Sequence, residues 1–276
     1  MSRSSDTHVY SLSDLLAIMA ALRDPQRGCP WDLAQNFQTI TASTLEECYE
    51  LVDALERHDL PHVAEELGDV LFQIVFYCQL GQEQGAFSFD DIVNTLVHKL
   101  IRRHPHVFAT DGSVLDRDAR VSPDEVKARW EEIKQGERAQ KDQTGLLADI
   151  PLALPSLGRA QKIQKRMAKV GFDFADAQAA LAKVKEEMAE LEEALASADR
   201  SAVQAELGDV LFSVVNVGRH IGIDSETALR TANNKVTKRI ETMEQLAADA
   251  EHSLSEITII ELEHYWNQAK AAERGL

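Results

Sequence analysis

The heptapeptide ELGDVLF at Glu66–Phe72 recurs unchanged at Glu206–Phe212, 140 residues further along the chain. At the same offset, TLEECYELVDAL (Thr44–Leu55) matches VKEEMAELEEAL (Val184–Leu195). Downstream the offset becomes 136: Lys99-x3-Arg103 matches Lys235-x3-Arg239, and Trp130-x3-Lys134 matches Trp266-x3-Lys270. Four matching blocks in one order mark an internal duplication, which sets the domain count at two. The expected division is 1–145 and 146–276. Its seam lies in KDQTGLLADIPLALPS (Lys141–Ser156), punctuated by Gly145, Pro151 and Pro155.

Both halves read as helices. Leu207, Val210, Leu211, Val214 and Val215 keep the spacing of one buried helical face, and Leu67, Val70, Leu71, Ile74 and Val75 repeat it. All seven prolines lie at or before Pro155, so the second half is free to be helical almost throughout. No stretch alternates as a strand would. The expected fold is all-α, two tandem bundles of four or five helices each, with Arg103–Pro123 as a loop of the first half.

Composition narrows the function. Hydrophobic residues make up 44% of the 276, enough for a packed core. The formal charge of −17 excludes a duplex nucleic-acid binder, which needs a basic face. An acidic protein that handles phosphates needs cations to do so. Three cysteines without a CxxC spacing form neither a disulfide framework nor a zinc site. The N-terminus lacks a signal pattern, and the apolar run Val70–Leu80 is too short to span a bilayer. A cytoplasmic protein with no membrane contact is expected.

The chemical signal is EExxE followed by ExxD. In the second half, Glu186, Glu187 and Glu190 fall within about a 100° arc of one helix, and Glu206 and Asp209 lie roughly 60° apart on the next. Asp199-Arg200-Ser201 supplies a turn and N-cap between them. Two antiparallel helices then aim their carboxylates at one point. Such a cluster repels itself unless protonated or bound to a cation. All-oxygen ligation favours Mg²⁺, or Mn²⁺, over zinc or copper. A lone Glu-rich face is ordinarily just solvated; here the carboxylates border an apolar stripe and the pattern recurs as Glu47, Glu50, Glu66 and Asp69. Gly68 and Gly208 each cost about 1 kcal/mol inside a helix, and are expected to let the paired helices approach closely. A di-iron bundle needs Glu-x-x-His on two helices, but Glu261–His264 has no first-half counterpart.

Lys235 and Arg239 share one helical face, as neighbouring phosphate oxygens require. Trp266 and Lys270 do the same, an indole for a base beside an ammonium for a phosphate. His104-Pro105-His106 reads as a turn rather than a metal site, and Cys29 lacks an activating partner. No GxxxxGK[ST], GxGxxG or GxSxG occurs.

The order EExxE–ExxD–KxxxR resembles the all-α nucleoside triphosphate pyrophosphohydrolases, and the two-half layout resembles the MazG family with its two tandem MazG domains. The phrases LRDP (Leu22–Pro25), GCPWD (Gly28–Asp32), RHPHVF (Arg103–Phe108), RAQKIQKR (Arg159–Arg166) and VGFD (Val170–Asp173) carry the same likeness. The resemblance implies Mg²⁺-dependent hydrolysis of nucleoside triphosphates, ribo or deoxy, to monophosphate and pyrophosphate with broad base tolerance. It also implies a homodimer. By position, Glu187, Glu190, Glu206 and Asp209 would hold the metal, and Lys183, Lys235, Arg239, Trp266 and Lys270 would contact the nucleotide. Asn233 joins that set, because Lys183 and Asn233 have Ser43 and Val97 as first-half counterparts. Glu186 is the expected catalytic residue, orienting or deprotonating water. The main site is expected in the second half, with the first half mainly structural or weakly active. The competing class is a non-catalytic dimeric helical protein that binds nucleotide or a regulatory partner.

Overall fold

The computed structural model describes residues 9–116, 121–140 and 145–273, which include eleven helices and no strand. Of the expected seam, residues 141–144 lie outside the described residues, as does the Lys134 side chain. The chain forms two compact units, Met1–Gly136 and Glu137–Leu276, so the observed division falls earlier than residue 145. In chain order the helices are α1 (Leu12–Leu22), α2 (Pro30–Ala34), α3 (Thr41–Glu56), α4 (Leu60–Glu83), α5 (Phe89–Arg103), α6 (Pro123–Gln140), α7 (Ser156–Lys169), α8 (Ala177–Ser197), α9 (Arg200–His220), α10 (Ser225–Asp249) and α11 (Ile259–Glu273).

Each unit is built on a helical hairpin, α3–α4 in the first and α8–α9 in the second. The two hairpins turn alike. His58 and Ala198 both sit at φ 57°, in the left-handed region that breaks a helix. The next residue is an aspartate cap in both. Asp59 Oδ1 accepts from His62 N at 3.3 Å, and Asp199 Oδ1 from Ser201 N at 2.9 Å. The expected N-cap at Asp199 is therefore present.

In the first unit, Met19, Ile40, Val75, Phe76 and Leu80 form the core. The buried Arg23 guanidinium donates to Glu83 at 2.7 and 2.8 Å, lies 5.3 Å from the Phe76 ring, and donates to the Asp32 carbonyl. One side chain thus fastens α1, the Gly28–Asp32 turn and α4 together. In the second unit the ties are amides. Gln164 Nε2 donates to the Phe212 carbonyl at 2.7 Å, and Gln161 Nε2 to that of Ile223 at 3.1 Å.

The apolar stripes depart from expectation. Val75, Val210 and Val215 are buried, but Leu67 (52%), Leu207 (48%) and Leu211 (50%) remain about half exposed, with Ile74 and Val214 close behind. Within each unit the neighbouring helices cover only part of the stripe, and a contiguous apolar face is left over. The helix glycines are a second correction. A Cβ built on Gly68 or Gly208 meets nothing within 4 Å, so neither serves close packing of helices within this chain.

Candidate active site

The α8–α9 hairpin brings Glu187, Glu190 and Glu206 together, with carboxylate oxygens all within 4.8 Å of one another. Glu187 is buried (6% exposed), although it is charged and mid-helix. Its compensation is Lys183, one turn earlier, whose Nζ lies 2.8 Å from Glu187 and 2.6 Å from Glu186. Those two carboxylates, Glu186 first, hold the Lys183 ammonium well above the ordinary lysine range. Glu190 is pushed up from the usual carboxylate value by burial and then by the charge of Glu187. Asp209 stands outside the group of three, but lines a cavity with Lys183 and Glu187. Glu186 is exposed and paired with Lys183.

The α3–α4 hairpin repeats the cluster as Glu47, Glu66 and Asp69. Glu50 is exposed, but its charge joins burial, Asp69 and Glu66 in raising the pKa of Glu47. Here a histidine replaces the lysine. Arg57 Nη2 lies 2.8 Å from His62 Nδ1, and a guanidinium only donates. His62 therefore presents Nε2–H to Glu66 Oε1, 2.6 Å away. Glu66 Oε2 is buried with no hydrogen-bond partner among the described residues. An orphaned buried carboxylate oxygen has the chemistry to suit a hard cation.

A cavity of about 290 Å³ opens beside the second cluster. The aromatic side chains of Phe172, Phe174 and Phe212 line it, with Gln164, Ser213 and Asn216 as polar wall. The segment that carries Phe172 and Phe174 is fixed through Asp173, which pairs with Arg219 and, at 3.1 Å, with His220.

The expected phosphate and base handles form a separate cluster on α10 and α11. Arg239 stacks over Trp266 at 5.2 Å from the ring centroid and pairs with Glu273 at 2.6 Å. Arg103 stands 6.0 Å from the Trp130 ring in the same way. The duplicated KxxxR and WxxxK blocks are thus linked, each arginine lying over its own tryptophan. No hydrogen bond or ion pair among the described residues joins Lys235, Arg239, Trp266 or Lys270 to the carboxylates, and Asn233 and Lys235 are exposed on α10. The His104 ring packs edge-on against Trp130, with centroids 5.7 Å apart.

The MazG nucleotide pyrophosphohydrolase domain matches the chain twice, over residues 35–108 and 175–243, which contain the two carboxylate hairpins. The chain belongs to the MazG family. It is 48% identical to the nucleoside triphosphate pyrophosphohydrolase of Escherichia coli K12 over 95% of its own length and 98% of that protein. It is 39% identical to the nucleoside triphosphate pyrophosphohydrolase/pyrophosphatase MazG of Thermotoga maritima, covering 94% and 96%. An uncharacterized Bacillus subtilis protein, YabN, is 38% identical over 96% of this chain, which spans 53% of that protein.

The sequence reading named Lys183, Glu187 and Asp209 of the cavity wall but gave no role to its other residues or to His62. The cavity had a signal. Along α9 the stripe carries Ser213 and Asn216 where α4 has Gln73 and Phe76. Asn216 in place of Phe76, an amide where the other copy has a phenyl ring, marks a place where the halves differ. His62 has Ala202 as its counterpart and could have been found the same way.

Proposed function

We propose that this chain cleaves nucleoside triphosphates, ribo or deoxy, between the α- and β-phosphates, releasing the monophosphate and pyrophosphate. The observation that carries this reading is the Glu187–Glu190–Glu206 cluster within a segment matched by the MazG domain. It is a nucleoside triphosphate pyrophosphohydrolase, as its two near-full-length relatives are named.

Glu187, Glu190, Glu206 and Asp209 are the proposed ligands of a divalent cation, Mg²⁺ with Mn²⁺ as a substitute. The donors are all oxygen, and the raised pKa of Glu190 expresses a crowding of negative charge that a cation relieves. When bound, the ion supplies Lewis acidity and charge neutralisation at the phosphoryl oxygens. Glu47, Glu50, Glu66 and Asp69 form the proposed second, weaker set.

Glu186 is the proposed base that orients or deprotonates the attacking water. Its partner Lys183 then turns to the phosphates, a fixed cation one helical turn from the ligands. Lys235 and Arg239 stabilise charge on the pyrophosphate leaving group, with Trp266 steadying the Arg239 guanidinium and Asn233 and Lys270 completing the nucleotide contacts. A homodimer is part of this reading. The half-exposed leucines of α4 and α9 are an apolar face for a second copy, and assembly brings the α10–α11 cations to the carboxylates. No described helix is long and apolar enough to cross a membrane. The proposed place of action is the cytoplasm, on free nucleotides rather than duplex nucleic acid, which the charge of −17 repels.

The test is product analysis with Mg²⁺ and each triphosphate. Monophosphate and pyrophosphate are expected. Diphosphate and orthophosphate would place the attack at the β–γ bond and remove the leaving-group role of Lys235 and Arg239.

A further inference from the structure

Helix α11 holds the Arg239 guanidinium on two sides. The Trp266 ring lies 5.2 Å away against one face, and Glu273 Oε2 accepts from Nε at 2.9 Å and from Nη2 at 2.6 Å. We propose that Glu273 is a positioning residue for the phosphate end of the substrate, aiming the other edge of the Arg239 guanidinium at two phosphate oxygens. This deepens, and rests on, the reading that places Arg239 at the leaving pyrophosphate.

The geometry of the fork carries the assignment. A guanidinium offers its N–H groups in one plane, along separate edges. Glu273 takes the Nε–Nη2 edge, and takes it with a single oxygen. The end-on edge remains, formed by Nη1 and the second hydrogen of Nη2. Nη1 has no partner among the described residues. Two parallel N–H groups on that edge match two oxygens of a phosphate. A free arginine would lose much rotamer freedom on binding, whereas one already held by an edge and a face has less to lose.

The residues are placed by helical spacing. Trp266, Lys270 and Glu273 stand at i, i+4 and i+7, within about a 60° arc of α11. The Arg239 side chain is 16% exposed and that of Glu273 43%. A cation so far withdrawn from water needs a counter-charge, and Glu273 supplies it from the rim without closing the end-on edge. The carboxylate also travels with the pair. Arg103, Trp130 and Glu137 precede Arg239, Trp266 and Glu273 by 136 residues each, and Arg103 too lies over its tryptophan.

A carboxylate on an arginine can also act as a rival of phosphate, or as a simple tie between α10 and α11. A double-mutant cycle separates the three. The full chain, with Mg²⁺, is titrated with α,β-methylene-ATP, which resists cleavage at the α–β bond. Wild type, Glu273→Ala, Arg239→Gln and the double variant are compared. Glu273→Ala is expected to weaken binding about tenfold, and to add less than about twofold once the guanidinium is gone. Glu273→Gln, which keeps an acceptor oxygen, is expected to recover most of the loss. Tighter binding by Glu273→Ala would make the carboxylate a rival of phosphate. An equal loss in both Arg239 backgrounds, or a glutamine no better than alanine, would leave it a tie between helices. Unchanged affinity, or no binding to the wild type, would remove it from the site. Each of these results overturns the assignment. A wild type that shows the coupling yet turns over no triphosphate would keep Glu273 in this role and remove the hydrolase reading. Normal pyrophosphate release with no coupling would do the reverse.

Discussion

Two carboxylate clusters, built on near-identical hairpins, are balanced by different means. In the first half the His62 imidazole gives one hydrogen bond to Glu66, and Oε2 of the same carboxylate has no partner among the described residues. In the second half an ammonium, Lys183, spans Glu186 and Glu187. A hydrogen bond from an imidazole holds a carboxylate in place; an ammonium one helical turn from the proposed metal ligands can in addition bind a phosphate. The same contrast recurs one layer deeper, where Asn216 lines a cavity and Phe76 fills the core. Duplication kept the carboxylates in both halves, and the halves diverged in the groups that surround them.

The largest effect should come from the ligands themselves. Asp209→Asn and Glu190→Gln should each abolish turnover with helicity unchanged by circular dichroism, and EDTA should do the same to the wild type. Full turnover with the metal stripped away would remove the cation from the account.

The next effect transplants the difference between halves. Lys183→Ser installs the first-half residue. A lost charged contact to phosphate is worth on the order of 2 kcal/mol, so kcat/KM should fall about thirtyfold. If the loss is under twofold, Lys183 does no more than neutralise Glu186 and Glu187.

A pH effect follows from Glu190, whose pKa desolvation and the charge of Glu187 push above the ordinary carboxylate range. Above that range the metal-free folded protein binds more protons than the unfolded chain, so this group's contribution to stability declines as pH rises through its raised pKa. Urea melts of wild type against Glu190→Gln, from pH 4.5 upward without metal, should show the variant gaining on the wild type as pH rises. Added Mg²⁺ should reverse the difference. A variant that loses ground to the wild type as pH rises contradicts the crowding of charge at this cluster.

The smallest effect concerns Gly208. A Cβ there meets nothing within 4 Å, so Gly208→Ala should stabilise the folded chain by about 1 kcal/mol through helix propensity alone. A loss of activity in that stabler variant would show that substrate or a second copy needs the open surface beside Asp209.

Much of this was legible in the residues. The repeat of ELGDVLF with its upstream EExxE pointed to two helical hairpins; of the carboxylates that the spacing named, Glu187, Glu190 and Glu206 meet in one half and Glu47, Glu66 and Asp69 in the other, while Asp209 and Glu50 stand outside those groups. The helical period also implied burial of the whole stripe, yet Leu207 and Leu211 stay half exposed, because periodicity reports an apolar face and not what covers it. The hairpin turns were partly hidden, since His58 and Ala198 take a left-handed conformation without the glycine that usually announces it. Trp266 read as a base platform, whereas Arg239 covers one of its faces, a pairing between two separate helices that spacing along one helix does not encode. Gln164 and Phe172 lie in the phrases RAQKIQKR and VGFD, but their place beside the carboxylates was hidden for the same reason. They reach the site from α7 and the segment after it, and only the folded chain brings them beside Glu187.

The central claim is that the second-half cluster is the catalytic one. The direct measurement is pyrophosphate release by Glu187→Gln and Glu47→Gln, each at saturating Mg²⁺ and triphosphate, on protein matched to wild type in helicity and oligomeric state. Both positions have the same rank in the EExxE motif, and both lie in clusters with oxygens within 4.8 Å. Glu187→Gln is predicted to remove nearly all activity and Glu47→Gln to leave most of it. The opposite order, in correctly folded protein, would place the main site in the first half and contradict the account.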